Sequence, residues 1–212
     1  MAALLLVFEL IGTVAFAVSG AMTGLKKGMD LFGVSILGIS CAVGGGIIRD
    51  LLLGITPPTT FLHPIYAAVA AVTALAVFLP PVRARVSATN RIFELLLLVM
   101  DSVGLGVFTV IGISTAASAG QSGNVFLMAF VGVITGVGGG VLRDVLAGNT
   151  PYIFIKHIYA VASLAGALPC AVLWNYLPHY ALMLVSAALV ITIRFLAAHY
   201  RWSLPKAGNI ED

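Results

Sequence analysis

Two copies of one phrase lie in this chain, each inside a segment apolar enough to cross a membrane. The first reads Gly44-Gly45-Gly46-Ile47-Ile48-Arg49-Asp50-Leu51-Leu52-Leu53-Gly54-Ile55-Thr56-Pro57. The second begins 94 residues later and reads Gly138-Gly139-Gly140-Val141-Leu142-Arg143-Asp144-Val145-Leu146-Ala147-Gly148-Asn149-Thr150-Pro151, identical at 9 of the 14 positions. Each glycine weakens a helix by ~1 kcal/mol relative to alanine. An arginine in hydrocarbon costs ~2.5 kcal/mol or much more. Two costly features, present together twice, point to a polar pathway through a bilayer.

Composition leaves one class. Of 212 residues, 60% are hydrophobic and 9% charged, with mean hydropathy +1.10, whereas a soluble domain carries about 25% charged residues. The chain reads as an all-α integral membrane protein. A net charge of +3 spread over loops forms no basic stripe and excludes a nucleic-acid partner. Cys41 and Cys170 lie in apolar segments without a CxxC and read as buried thiols. The start, Met1-Ala2-Ala3-Leu4, has no basic leader region and is followed by Glu9, so a retained first span is expected.

A span needs about 20 apolar residues. Seven are expected: 3–24, 31–53, 60–80, 91–117, 124–147, 154–175 and 179–200. Lys26-Lys27-Gly28, Thr56-Pro57-Pro58, a polar linker from Pro80-Pro81 to Asn90, Gly120-Gln121-Ser122-Gly123-Asn124, Thr150-Pro151 and Leu177-Pro178 mark the breaks. Lys26, Lys27, Arg83, Arg85, Arg91, Lys156, Arg201 and Lys206 all fall on one side of a seven-span layout. That side is cytoplasmic, which puts the N-terminus outside and the C-terminus inside.

The duplication reaches beyond the glycines. At an offset of 92, Glu9 matches Asp101, Gly12 matches Gly104, Phe16 matches Phe108 and Gly20 matches Gly112. His63 matches His157 at 94, and Tyr66 matches Tyr159 at 93. The expected organisation is one three-helix repeat over 1–82, a second over 91–176, a seventh helix over 177–200 and a cytoplasmic tail over 201–212. Three spans per repeat place the copies upside down to each other, the plan in which interrupted helices build a site near the midplane.

The glycine triplets admit two readings. Breaks in the second and fifth helices leave carbonyls facing a water-lined path; alternatively, glycines let helix backbones touch. The pairing of each triplet with Arg-Asp favours the path. Arg49 and Glu9 fall toward the outer side, Arg143 and Asp101 toward the inner, so each repeat is expected to set one carboxylate beside one arginine. Asp50 and Asp144 are second partners. Snorkelling is the alternative for both arginines. The expected pathway residues are thus Glu9, Gly44, Gly45, Gly46, Arg49, Asp50, Asp101, Gly138, Gly139, Gly140, Arg143 and Asp144, with Ser19, Thr13, Ser35, Ser40, Ser102, Thr109, Ser114 and Thr135 as further polar lining. His63, His157, His179 and His199 fall at span ends and form no metal set. No nucleotide-binding glycine loop and no Ser/His/Asp arrangement supports an enzyme.

The paired GGGxxRDxLxG phrases, the acid in the preceding span and the 3+3+1 layout resemble the tandem "glycine transporter" membrane proteins. They are similar to the trimeric intracellular cation (TRIC) channels, over residues 3 to about 200. The resemblance implies a homotrimer in the bacterial inner membrane, with one ion pathway per protomer, permeant potassium and kinked second and fifth helices. It calls for no cofactor beyond the permeant ion and membrane lipid. Arg143 stands where animal members carry a lysine, so their voltage and lipid regulation is not carried over. A carrier for a small zwitterion such as glycine stays open beside the channel, with Arg49 or Arg143 holding the carboxylate and Glu9 or Asp101 the ammonium. A structural role without flux is the third reading.

Overall fold

The computed structural model describes residues 2–86, 89–155 and 158–202, and its described residues are helical without strands. The α-helices are α1 (Ala2–Lys26), α2 (Leu31–Leu52), α3 (Thr59–Leu62), α4 (Ile65–Phe78), α5 (Pro80–Val86), α6 (Asn90–Ala116), α7 (Val125–Leu146), α8 (Tyr152–Ile155), α9 (Ala160–Leu173) and α10 (His179–His199), with a π-helical turn (Ala117–Gln121) extending α6. Lys156, His157, Lys206 and the tail beyond Trp202 lie outside the described residues.

Local chemistry sets the ends of the central helices twice over. Asp30 accepts the Gly33 N–H at 2.7 Å to start α2, and Asn124, its counterpart, accepts the Leu127 N–H at 3.0 Å to start α7. Gly54 (φ 70°) and Gly148 (φ 64°) end them in the left-handed conformation. The next amides then bond back to the Asp50 and Asp144 carbonyls at 2.8 Å, closing a Schellman turn in each copy.

Helix lengths repeat as well: 25 and 27 residues for α1 and α6, 22 for α2 and α7, four for α3 and α8, 14 for α4 and α9. The expected third and sixth spans are therefore divided, each a short helix followed by one of 14 residues. Such a helix is only ~21 Å long, short of a ~30 Å hydrocarbon core. His63-Pro64 accounts for the first division, because a residue before proline is pushed out of the helical region. The expected polar linker is largely helical too. Pro80 opens α5, a position where a missing N–H is harmless, and α5 bends 77° from α4.

The expected breaks at the glycine triplets are absent. Both α2 and α7 run as unbroken α-helices through Gly44–Gly46 and Gly138–Gly140. A Cβ added at Gly45 would strike the Thr135 carbonyl, and one at Gly139 the Cys41 carbonyl. The triplets let two intact helices cross with their backbones in contact. A side chain at Gly44 would meet Leu142, and one at Gly138 would lie 3.5 Å from Ile48. These contacts are reciprocal at the repeat offset, and each rises on one helix as it falls on the other, so α2 and α7 run antiparallel through a local two-fold. The same exchange holds for α1 and α6. Phe16 sits on Gly104, Phe108 comes within 3.1 Å of a Cβ built on Gly12, and the two rings meet at 5.3 Å between centroids.

Around this core, α4 packs on α1 and α2, while α9 packs on α6 and α7. Unmatched α10 lies against α6 and α9. Gly45→Ala and Gly139→Ala are each expected to destabilise the protein by ~1–3 kcal/mol, the usual range for overpacking. Gly123→Ala, where a Cβ meets nothing within 4 Å, is expected to stay within ~0.5 kcal/mol of wild type. Denaturant unfolding in detergent measures all three.

Candidate pathway and its central charge cluster

Because α2 and α7 are continuous helices, Arg49 and Arg143 sit one turn past the triplets on the inner face of the bundle. Arg143 is entirely buried. Its Nε donates to Asp144 Oδ1 at 2.8 Å, and its Nη1 donates to Asp101 Oδ1 and to Ser19 Oγ, both at 2.5 Å. Its guanidinium also lies over the Tyr152 ring at 4.9 Å. One side chain thereby ties α7 to α6 and α1. Asp144 closes the turn beyond, its Oδ2 accepting the Tyr152 N–H that begins α8 at 2.9 Å.

The first repeat builds the same turn. Asp50, also fully buried, accepts from Arg49 Nε at 2.8 Å and from the Thr59 N–H that begins α3 at 2.7 Å. Here the likeness stops. The expected Glu9–Arg49 pair does not form: the Tyr66 hydroxyl donates to Glu9, and Arg49 folds onto Asp50. Asp50 is the more demanding partner, since a carboxylate without any exposure needs a cation more than one at a cleft wall. The expected Asp101–Arg143 pair does form.

Two clefts lie at opposite ends of α1. One is lined by Glu9, Thr13, Gly46, Arg49, Tyr66 and Phe108. The other is lined by Thr23, Lys26, Lys27, Asp144, Asn149 and Tyr152. Between them along α1 stand Phe16, in the aromatic contact with Phe108, and Ser19, in the Arg143 network. Glu9, Gly46, Arg49 and Asp144 thus line the clefts, and Asp101 and Arg143 lie between them. Gly45 and Gly139 are helix-crossing contacts. Among the polar candidates, Ser35, Thr109 and Thr135 bond the carbonyl four residues back on their own helices.

A family model described as Glycine transporter matches the chain twice, over residues 6–80 and 98–175. The UPF0126 inner membrane protein YadS of Escherichia coli (strain K12) is 37% identical over 199 residues, covering 92% of this chain and 91% of its own length. A structure solved as the basis for conductance through TRIC cation channels is 40% identical, with TM-score 0.84 over 97% of this chain and 98% of its own. The chain belongs to the TRIC family. A prokaryotic TRIC channel solved in 0.5 M KCl gives TM-score 0.86 at 32% identity, over 96% and 100% of the two chains. The family and these neighbours are transporters or channels by description, and this TRIC member is an all-helical membrane protein.

Sequence reasoning missed Arg194. It lies on α10, is buried, and places Nη2 3.9 Å from Asp101 Oδ2 with its guanidinium 4.7 Å from the Tyr159 ring centre. The signal was present: a lone arginine well inside the last apolar segment. With it, the second-repeat cluster holds Arg143 and Arg194 against Asp101 and Asp144, formally neutral. The first-repeat cleft holds Arg49 against Asp50 and Glu9, formally negative.

Asp101→Ala leaves Arg194 without its carboxylate and strips Arg143 of one. It is expected to cost ~3–5 kcal/mol, as breaking a buried pair does. Glu9→Ala, at a cleft wall with a phenol as partner, is expected to cost under ~1.5 kcal/mol, the value of an ordinary hydrogen bond. The same detergent unfolding assay reads both, and equal losses would contradict the charge assignment.

Proposed function

We propose that the protein is a passive monovalent-cation channel, potassium being its physiological ion, with one pathway inside each protomer of a homotrimer. Its path runs from the Glu9–Arg49 cleft to the Thr23–Asp144 cleft. In the state described, it is closed between them by the Phe16–Phe108 contact and the Ser19–Asp101–Arg143 network. The observation that carries this reading is that network: an arginine, a carboxylate and a hydroxyl from three helices meet between two polar clefts. Charges are costly at membrane depth and mark ion paths there, and these are joined across helices that must part for ions to pass. The formally negative outer cleft favours cations at that mouth. The names of the neighbouring structures, TRIC cation channels, support the same reading.

The membrane is the bacterial inner membrane, as for the E. coli relative named above. The loop charges put the N-terminus outside, so a cysteine at Ser122 should react with an impermeant thiol reagent from outside.

A glycine-type carrier is the second reading. One observation favours it: Arg49 and Glu9 line a single cleft, as a carboxylate and an ammonium would require.

Planar-bilayer recording of the purified protein in asymmetric KCl separates the two. Unitary currents reversing near the potassium equilibrium potential are expected of the channel; radiolabelled glycine uptake without unitary current would overturn it. Asp101→Asn and Arg143→Gln are each expected to raise open probability several-fold by loosening the barrier. The Phe16→Ala variant should raise unitary conductance by widening the same point.

A further inference from the structure

Arg194 is poised against Asp101 without completing a bond. The Nη2–Oδ2 distance is 3.9 Å, and both Asp101 Oδ2 and Arg194 Nε are buried without a hydrogen-bond partner. The other carboxylate oxygen is fully engaged by Arg143 and Ser19. Tyr159 holds the waiting guanidinium: its ring lies 4.7 Å beneath, and its hydroxyl, also unpartnered, lies 2.8 Å from a Cβ built on Gly140.

The two arginines differ in what carries them. Arg194 is on α10, which is clamped to α6, the helix of Asp101: a Cβ at Gly106 would lie 2.8 Å from the Ala187 carbonyl. A Cβ at Gly166 would lie 3.0 Å from the Ser186 carbonyl, which fixes α10 to α9 as well. Arg143 is on α7, which is anchored to α6 through Gly132 and Gly136. Gly138–Gly140 separates that anchored stretch from Arg143. The Asp101–Arg194 backbone relation is therefore fixed, while the Asp101–Arg143 relation crosses three glycines.

We propose that Arg194 is a positioning residue for the barrier, the alternate partner that takes Asp101 when Arg143 leaves. The inference rests on the reading of Ser19–Asp101–Arg143 as the closed barrier. When α7 moves beyond its glycines, Asp101 turns Oδ2 onto Arg194 and is never left as an unpaired buried carboxylate. Arg194 thereby favours the open state, and its loss leaves Arg143 as the one strong partner of Asp101.

The test is open probability of the full-length trimer in planar bilayers. Arg194→Gln is expected to lower it on the order of tenfold, within the usual range for coupled sites, with unitary conductance unchanged. In an Asp101→Asn background the same substitution should change nothing, because the shared partner is gone. Wild-type open probability in Arg194→Gln, or an equal fall in the Asp101→Asn background, overturns the proposal while leaving the barrier intact. If Asp101→Asn and Arg143→Gln both gate like wild type, the barrier reading fails and takes this one with it, as does a wild type that passes no current. Should Arg194→Gln not assemble, Arg194→His decides. Its open probability, relative to wild type, should fall severalfold from pH 5.5 to 8.0 as the imidazole loses its charge, and a flat ratio overturns the proposal.

Discussion

The structure depends on one contact: the α2–α7 crossing, where Gly45 meets the Thr135 carbonyl and Gly139 meets the Cys41 carbonyl. No side chain fits there, so the two helices approach as closely as backbones allow. Lipid supplies no hydrophobic drive between helices, and close packing over small residues takes its place. In the state described, the crossing also sets where the charges lie. It puts Arg49 and Arg143 one turn beyond the contact at opposite ends of an antiparallel pair. Arg143 then reaches α1 and α6, which the same local two-fold holds together through Phe16 on Gly104 and Phe108 near Gly12.

The glycine phrase was legible as a repeated unit and misleading as a helix break. Helix propensity penalises Gly44–Gly46 and Gly138–Gly140, which argued for breaks. In a bilayer, a broken turn leaves carbonyls unpaired at a cost of several kcal/mol each, whereas an intact helix keeps its bonds and gains a backbone-deep contact. Tertiary packing overrode propensity. The rest of the phrase was readable: the final glycine of each copy is a helix C-terminus in the left-handed region, and the Arg-Asp pair is buried. The division of the third and sixth spans was hidden, because apolar composition is blind to a short turn at His63-Pro64.

Pair choice was harder to read than position. Depth along a helix correctly brought Asp101 to Arg143, and it brought Glu9 and Arg49 to one cleft without joining them. Depth is set by residue count, but partner choice depends on burial and on side chains from helices beyond the two that carry each pair. Tyr66 on α4 takes Glu9, and Arg194 on α10 approaches Asp101. The repeat comparison gave no weight to α10 because that helix has no counterpart, yet it carries the charge that the pattern lacked.

A symmetric scaffold thus holds an asymmetric charge distribution. The two-fold relates backbone contacts and both Arg-Asp turns, but Glu9 stands where the second repeat has Asp101, and nothing in the first repeat answers Arg194. The consequence follows from burial. A neutral cluster of four charges can be sealed between helices, since each ion has a partner. A cleft with an excess carboxylate must keep access to water or to a cation. The half that α10 covers is therefore the half whose charges are balanced in a dry interior. In the proposed path, symmetry supplies the continuous route, and α10, which carries Arg194, sets where along it the proposed barrier stands.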